Sequence, residues 1–457
     1  MNWVKVGENL PEVEAPVKKL GLKTKLVWTG VVLIVFFVLG MIPLYGLSPD
    51  YQQQLQVLEV LLAAKFGSLI TLGIGPIVTA SIILQLLIGA DVIKLNLATH
   101  EGRAQFQSLQ KLFSVLFIVF ENAAFVFSGS LPAVYPSLYW QLIMVIQLVI
   151  GGLILMLMDE VVSKWGIGSG ISLFIAAGVS MQIFVKAFSP FKAGMLPSGA
   201  VWQVLALIAQ GVPGEAIWPL VAIIATIVVF LLSIYAQSIK VSLPLTFARV
   251  RGISFNWPIR LLYTSNIPVI LVTAFMATTQ VFALMLFSQG IPLLGTFEIQ
   301  NGRQVPVSGF VSYLNPPTIR DLYYQGFTSH NTISILVYLI FMTVGAVLFS
   351  VLWVKVGGQG PENVADQIMQ YNLFIPGFRP DKRILVMKLE HYIMPMAVIG
   401  GAVVGLLAAL ADVLGALARG TGVLLSVLII YQFYDTIIKQ HRDEVAPLIN
   451  FIRRRQI

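Results

Sequence analysis

Apolar residues run along this chain in long stretches divided by short polar segments, and ten of these stretches are candidate membrane crossings. They lie near residues 25–46, 70–89, 106–129, 137–158, 170–188, 216–237, 258–286, 333–354, 392–413 and 420–438. A helix needs about 20 apolar residues to cross the hydrocarbon core. The second and fifth stretches are short, and the seventh is long enough to cross with a tilt. The second is also broken. Residues 70–85 read Ile-Thr-Leu-Gly-Ile-Gly-Pro-Ile-Val-Thr-Ala-Ser-Ile-Ile-Leu-Gln, so Gly73, Gly75 and Pro76 loosen the backbone where a helix should begin. Lipid cannot satisfy free backbone groups, so a discontinuous helix in a membrane lines a cavity or pathway.

Two further segments have helical periodicity without crossing length. Residues 55–66 form a moderately apolar stretch that contains Glu59 and Lys65 and, on its own terms, reads as a surface helix. Residues 198–212 are amphipathic and are expected on the external surface.

Composition agrees with the pattern. Only 11% of residues are charged and 57% are hydrophobic, whereas soluble domains carry about 25% charged residues. The chain is therefore a polytopic membrane protein with little room for a soluble domain. It has no cysteine, which excludes disulfides, thiolate catalysis and Cys-based zinc sites. His100, His330, His391 and His441 are scattered, with no pair at ligand spacing, so no metal site is expected. Residues 1–24 are polar and mixed in charge, without the apolar centre of a cleavable signal.

The net charge of +8 is unevenly placed. If the N-terminus is cytoplasmic, 23 of the 29 lysines and arginines fall in cytoplasmic segments. The other six are Lys65, Lys186, Lys192, Arg303, Arg320 and Arg419. This bias predicts a multi-pass cell-membrane protein with both termini inside. The expected organisation is a cytoplasmic segment 1–24, a first half 25–188, an external hinge loop 189–215, a second half 216–438 and a cytoplasmic tail 439–457. The second half contains long basic cytoplasmic loops at 238–257 and 355–391.

The halves echo each other. Gly75-Pro76-Ile77 in the second span corresponds to Ile267-Pro268-Val269 in the seventh, and Gly168-Ser169-Gly170 before the fifth corresponds to Gly420-Thr421-Gly422 before the tenth. An odd number of spans per half inverts the repeat. The fold class is thus all-α, with ten transmembrane helices in two inverted five-helix halves around a central pathway.

Four motifs also carry a family resemblance. Leu72-Gly-Ile-Gly-Pro-Ile-Val-Thr-Ala-Ser-Ile-Ile-Leu-Gln85 resembles the second span of the SecY family of protein-conducting channels. Trp165-Gly-Ile-Gly-Ser-Gly-Ile-Ser172, Ser265-Asn-Ile-Pro-Val-Ile270 and Gly420-Thr-Gly-Val-Leu-Leu425 follow in the family's order. The opening Leu10-Pro-Glu-Val-Glu-Ala-Pro16 looks like the archaeal branch. The resemblance covers essentially the whole chain. It implies a clamshell hinged between the fifth and sixth spans, with residues 55–66 as a plug. It also implies a heterotrimer with a SecE-type subunit and a small third subunit.

The same motifs hold the candidate site. Ile74 and Val78 share one helical face, Ile171 and Ile175 repeat that spacing, Ile270 follows Pro268, and Leu425 follows Gly422. Read alone, these residues suit packing, lipid contact or a ring that excludes water and ions by dewetting. The resemblance matches all six to the family's pore ring. Polar Thr79 and Gln85 in the second span and Asn266 in the seventh suit ordinary interhelical bonds; the resemblance places these helices at a lateral gate. Glu121 has no obvious partner in sequence, which suits a subunit contact or the external interface.

Arg249 and Arg251 in one long loop, and Arg379, Lys382 and Arg383 in the other, suit phosphate contacts on projecting tips. By resemblance these loops dock the ribosome, or a motor ATPase in bacterial relatives. No Gly-Lys dipeptide, catalytic triad or carboxylate pair is present, so no enzyme activity or cofactor is expected. The reading is the pore-forming subunit of a protein translocation channel that passes nascent secretory chains and releases apolar segments into the lipid bilayer. The rival is a secondary transporter for a small solute. It shares the repeats and broken helices, but the central positions lack ion-coupling polar groups.

Overall fold

The computed structural model describes residues 11–18, 20–48, 67–89, 92–93, 95, 99–129, 131–135, 137–193, 196–247, 254–264, 267–300, 303–326, 328–370, 373–376, 381–418 and 420–440. The expected plug at 55–66 and Asn266, Arg249, Arg251 and Arg379 lie outside these residues.

The first half contains α1 (Leu22–Met41), α2 (Gly75–Gly89), α3 (His100–Phe127), α4 (Leu138–Trp165) and α5 (Gly170–Phe188). A small hairpin, β1 (Lys192–Ala193) and β2 (Leu196–Pro197), and the short apolar helix α6 (Ala200–Ala209) lead into the second half. There follow α7 (Pro213–Ser238), the hairpin β3 (Lys240–Phe247) and β4 (Ser254–Arg260), and α8 (Ile267–Ser288). Next come the hairpin β5 (Thr296–Gln300) and β6 (Arg303–Ser308), the turn-length α9 (Phe310–Tyr313), α10 (Ile319–Gln325) and α11 (Ser329–Val356). The chain continues through α12 (Pro361–Gln370), β7 (Leu373–Phe374), α13 (Lys382–Val413) and α14 (Gly420–Gln440). Among the described residues, nine helices are long and apolar enough to cross a membrane, and the short α2 supplies the tenth expected span.

Side-chain oxygens set several helix starts. Thr99 accepts the Gly102 amide before α3, and Asp381 accepts the Arg383 amide before α13. Thr318 and Asp321 form a reciprocal capping box on α10. The second span has no such cap. Residues 69–74 are turns, Gly73 takes a φ of +55° open to glycine at little cost, and helix begins only at Gly75.

Three expectations need correction. The apolar stretch 258–286 predicts one long span, but the helix begins at Ile267, and Ser254–Arg260 is strand rather than helix. Ile259 and Leu262 are apolar because they are buried within the protein, and hydropathy cannot tell that from lipid contact. The loop read at 238–257 is largely a β-hairpin, with Leu243 and Leu245 turned inward at period two. The loop read at 355–391 contains α12, β7 and the first ten residues of α13. Lys382 and Arg383 therefore form the first turn of a helix, not a loop.

Each half has its own core. Val32, Phe36, Ile118, Leu155, Val162 and Phe174 centre the first, with Phe36 stacked on Phe174 at 4.7 Å. Val272, Met342, Ala346, Val404, Ala408 and Leu428 lie in the second. Ile175, Val179 and Ile183 of α5 pack against the second core and so join the halves. A third cluster fastens β3, β4 and β7 to α12 and α13 through Leu245, Ile259, Ile368 and Leu389.

Candidate functional site

The counterpart helices of the two halves meet in the middle of the molecule. Helix α2 packs against α8, and α5 packs against α14. Short helices and glycine-rich opening turns bring branched side chains to these contacts. Val78, Ile82 and Leu271 form a small buried cluster with Ile74, Ile171 and Ile270 packed around it. Leu425 lies in the core of the second half, where Ile175 and Ile270 pack against it. Thus all six expected ring residues enter two adjoining apolar clusters, and Ile270 belongs to both.

Hydrogen bonds anchor the chain shortly before the helix that carries Ile270. Thr264 shares a 2.9 Å hydrogen bond with Ser350 of α11, and the Ser350 hydroxyl donates to the Ala397 carbonyl of α13 at 2.7 Å. Tyr263 donates its hydroxyl to the Gln359 carbonyl at 2.8 Å. Burial raises that phenol to about 12, so it stays protonated and remains a donor across the physiological range.

The α2–α8 seam also contains polar groups. The Thr79 hydroxyl shares a 2.8 Å hydrogen bond with the Thr278 hydroxyl across it. Thr278 was not singled out in the sequence, where a threonine within an apolar run has no distinguishing signal. Gln85, also on α2, is buried, but no bond across the seam accompanies it in the described structure. Gln110 of α3 donates to the Ser81 hydroxyl at 2.8 Å and ties α3 to the other face of α2.

Glu121 is a correction. It does not project from the surface of the chain, as a contact with another subunit would require. It is 5% exposed, within hydrogen-bonding reach of Thr79, and its buried Oε1 has no hydrogen-bond partner in the structure. A buried acceptor without a donor costs free energy, because burial deprives it of water and supplies nothing in return.

Described residues next to the two basic segments pair with each other. Strand β7 pairs with β3 in the order β4-β3-β7, with Thr246 opposite Phe374 and Phe247 opposite Leu373. The segment bearing Arg249 and Arg251 joins β3 to β4, while Arg379 follows β7. Both segments therefore leave one small sheet. Nearby, Lys382 pairs with Asp366 of α12 at 2.6 Å and Arg383 is exposed.

Near the opposite end, a cavity of about 310 Å³ is lined in part by Gln280, Asn315, Tyr338, Asp412 and Thr421. Asp412 is already engaged. It accepts the Tyr338 hydroxyl at 2.6 Å and the Thr421 amide at 3.2 Å. No group of three or more His, Cys, Asp or Glu side chains able to hold a metal ion occurs among the described residues.

Comparison with known proteins agrees with this architecture. The family profile described as SecY matches residues 68–434, and one described as the plug domain of Sec61p matches residues 34–67. The protein translocase subunit SecY of Methanocaldococcus jannaschii is 41% identical over 442 residues, covering 97% of each chain. A solved structure described as that of a protein conducting channel superposes with a TM-score of 0.82 at 40% identity, over 97% of this chain and 98% of the other. Sec61 in a canine ribosome-channel complex from the endoplasmic reticulum superposes at 0.78 with 39% identity, over the same shares. Profile, relatives and superpositions all run through most of the chain, and the protein belongs to the SecY family.

Proposed function

We propose that this chain is the pore-forming subunit of a protein translocation channel. It conducts unfolded secretory polypeptides across the membrane and releases hydrophobic segments sideways into the bilayer. One observation carries the reading: all six candidate ring residues are branched aliphatics gathered into two adjoining clusters between helices of opposite halves, with Ile270 shared between the two. Aliphatic groups offer no hydrogen bonds to retain a particular sequence, yet they exclude water when no chain is present. A solute transporter needs the reverse, a polar central site. Asp412 is committed to Tyr338 and Thr421, and Glu121 lies at a seam rather than between the clusters.

In this reading Ile74, Val78, Ile171, Ile175, Ile270 and Leu425 form the seal, and residues 55–66 plug it at rest. Thr79, Thr278 and Glu121 tune the lateral gate, joined by Gln85 and Asn266. The basic segments around Arg249, Arg251 and Arg379, with Lys382 and Arg383, dock a phosphate-rich partner. The canine relative in a ribosome complex favours the ribosome. A SecE-type subunit and a small third subunit complete the complex, which sits in the cell membrane with both chain termini cytoplasmic and residues 189–215 as the hinge.

The chain's lack of cysteine makes the test direct. Ile270→Cys should form a disulfide with a single cysteine in a ribosome-stalled secretory chain, dependent on its signal sequence and its length. Ile340→Cys, exposed on α11, serves as the outward-facing control. Crosslinks at the control but none at Ile270, Ile74, Ile175 or Leu425 would contradict the pore.

A further inference from the structure

The helices that bring Ile171, Ile175 and Leu425 to the centre begin in the same unusual way. A helix start leaves several backbone amides without partners, and these are ordinarily covered by the side chain just before it. Ser169 precedes α5 but makes no such bond. Instead Asp159, from the preceding helix α4, accepts the Ile171 amide at 2.8 Å, with the Gly170 amide and Ser169 hydroxyl also in reach. In the other half Asp412, from the end of α13, accepts the Thr421 amide at 3.2 Å and lies 3.5 Å from its hydroxyl. Helices α4 and α13 are counterparts in the inverted repeat, as are α5 and α14. The same device therefore occurs twice, at opposite ends of the molecule.

Each carboxylate reaches its target because a glycine lets the helices touch. A Cβ on Gly170 would lie 2.6 Å from the Asp159 Cα, and one on Gly420 would lie 2.0 Å from the Cβ of Ala411. No side chain fits in either place. The glycine motifs in front of α5 and α14 thus admit the aspartate-bearing turn of the helix before.

We infer that Asp159 and Asp412 are positioning residues for the central seal, each clamping the opening turn of a seal-bearing helix to its neighbour. A cap from the helix's own flank fixes only the end of that helix. A cap from the neighbouring helix also fixes where the two stand relative to each other. Ile171 carries the clamped amide itself, Ile175 follows one turn later, and Leu425 lies one turn beyond Thr421. Slippage of either opening turn would move these side chains out of register.

The inference rests on the reading of the aliphatic residues as a seal, and its test separates the two. The full chain, with its copurifying subunits, is placed in planar bilayers without substrate, and resting ion conductance is read beside thermal unfolding. Asp159→Leu and Asp412→Leu should raise conductance about tenfold or more, while Asp159→Asn and Asp412→Asn, which keep an acceptor oxygen, should stay within about twofold of the parent. Folded Leu variants with parental conductance, or Asn variants that leak as much as Leu, would overturn the inference. Should the Leu variants not fold, Asp159→Ser and Asp412→Ser, which shorten the side chain out of reach of the neighbouring amide without burying an apolar group, should leak instead; parental conductance from folded Ser variants would overturn it too. Ile270→Ser in parallel tests the seal itself. Leak there without leak at the clamps defeats only the clamp, whereas no leak at Ile270→Ser defeats the seal.

Discussion

The halves of this molecule touch along two junctions built in opposite ways. At the α5–α14 junction, Ile175 and Val179 pack into a continuous core with Leu424, Leu425 and Leu428. A Cβ on Gly422 would stand 3.2 Å from Val179, so the helices approach closely. Ser426 shares a 3.3 Å bond with Ser180 and donates to the Ala176 carbonyl at the same distance, so its hydroxyl is satisfied. At the α2–α8 seam, the buried apolar cluster among the described residues is smaller: Val78, Ile82 and Leu271. The polar groups of the seam include, among the described residues, a hydroxyl pair, the buried Gln85 and a carboxylate with an orphaned oxygen. One junction gains from every contact. The other is held by a few aliphatic side chains and offset by an unsatisfied acceptor. In a channel that opens sideways, a firm junction keeps the halves together while a weaker one parts.

Leu428→Ala should most sharply break this contrast. Leu428 is almost wholly buried, and its truncation leaves a cavity worth about 2–5 kcal/mol. The expected result is a marked loss of thermal stability with signal-sequence selectivity intact; altered selectivity without destabilisation would reverse the roles of the junctions. Next in size is Glu121→Leu. Removing an orphaned acceptor should favour the closed seam by about 1–3 kcal/mol. Transport of chains with weakly hydrophobic signals should then fall about tenfold while strong signals pass, read by processing in reconstituted vesicles. The Thr79→Val and Thr278→Val pair should show a coupling of about 1 kcal/mol in a double-mutant cycle on the same assay, because each threonine satisfies the other.

The smallest effect concerns the anchorage of α3, which forms one wall of the seam. Lys111 of α3 pairs with Glu160 of α4 at 2.6 Å, and Glu160 also accepts the Val13 amide at 3.0 Å. Lys164 bonds the Glu12 carboxylate and the Val13 carbonyl, which straps the N-terminal segment to α4. The Lys164 hydrogen bond and charge hold Glu12 below its ordinary value. A lowered carboxylate contributes stability above its unfolded-state value and loses it as pH falls through the lowered one. Protection of the Val13 amide from hydrogen exchange should thus hold from neutral pH and decline only below the usual glutamate range. A decline near neutral pH would contradict the strap.

Much of the architecture was legible because lipid imposes a simple code of long apolar runs, basic sides and breaks only where a pathway passes. The break at Gly73 and Gly75 and the inverted glycine motifs were visible as local irregularities. What escaped was tertiary. Ile259 and Leu262 looked like membrane residues, but a protein interior buries them. Glu121 had no visible partner because Thr79 lies on a different helix. The sheet that joins the strands before the basic segments depends on pairing between Phe247 and Leu373, far apart in the chain. Asp159 and Asp412 did leave a trace, an aspartate shortly before each glycine-rich opening turn, but only contact with the next helix gives that spacing meaning.

In the proposed channel, the α2–α8 seam must part for transport. Thr79→Cys with Thr278→Cys tests it most directly, because the two hydroxyls already stand 2.8 Å apart and the chain has no other cysteine. With the disulfide formed, insertion of signal-bearing chains in reconstituted vesicles should stop, and a reductant should restore it. Undiminished transport through a fully crosslinked channel would contradict the account.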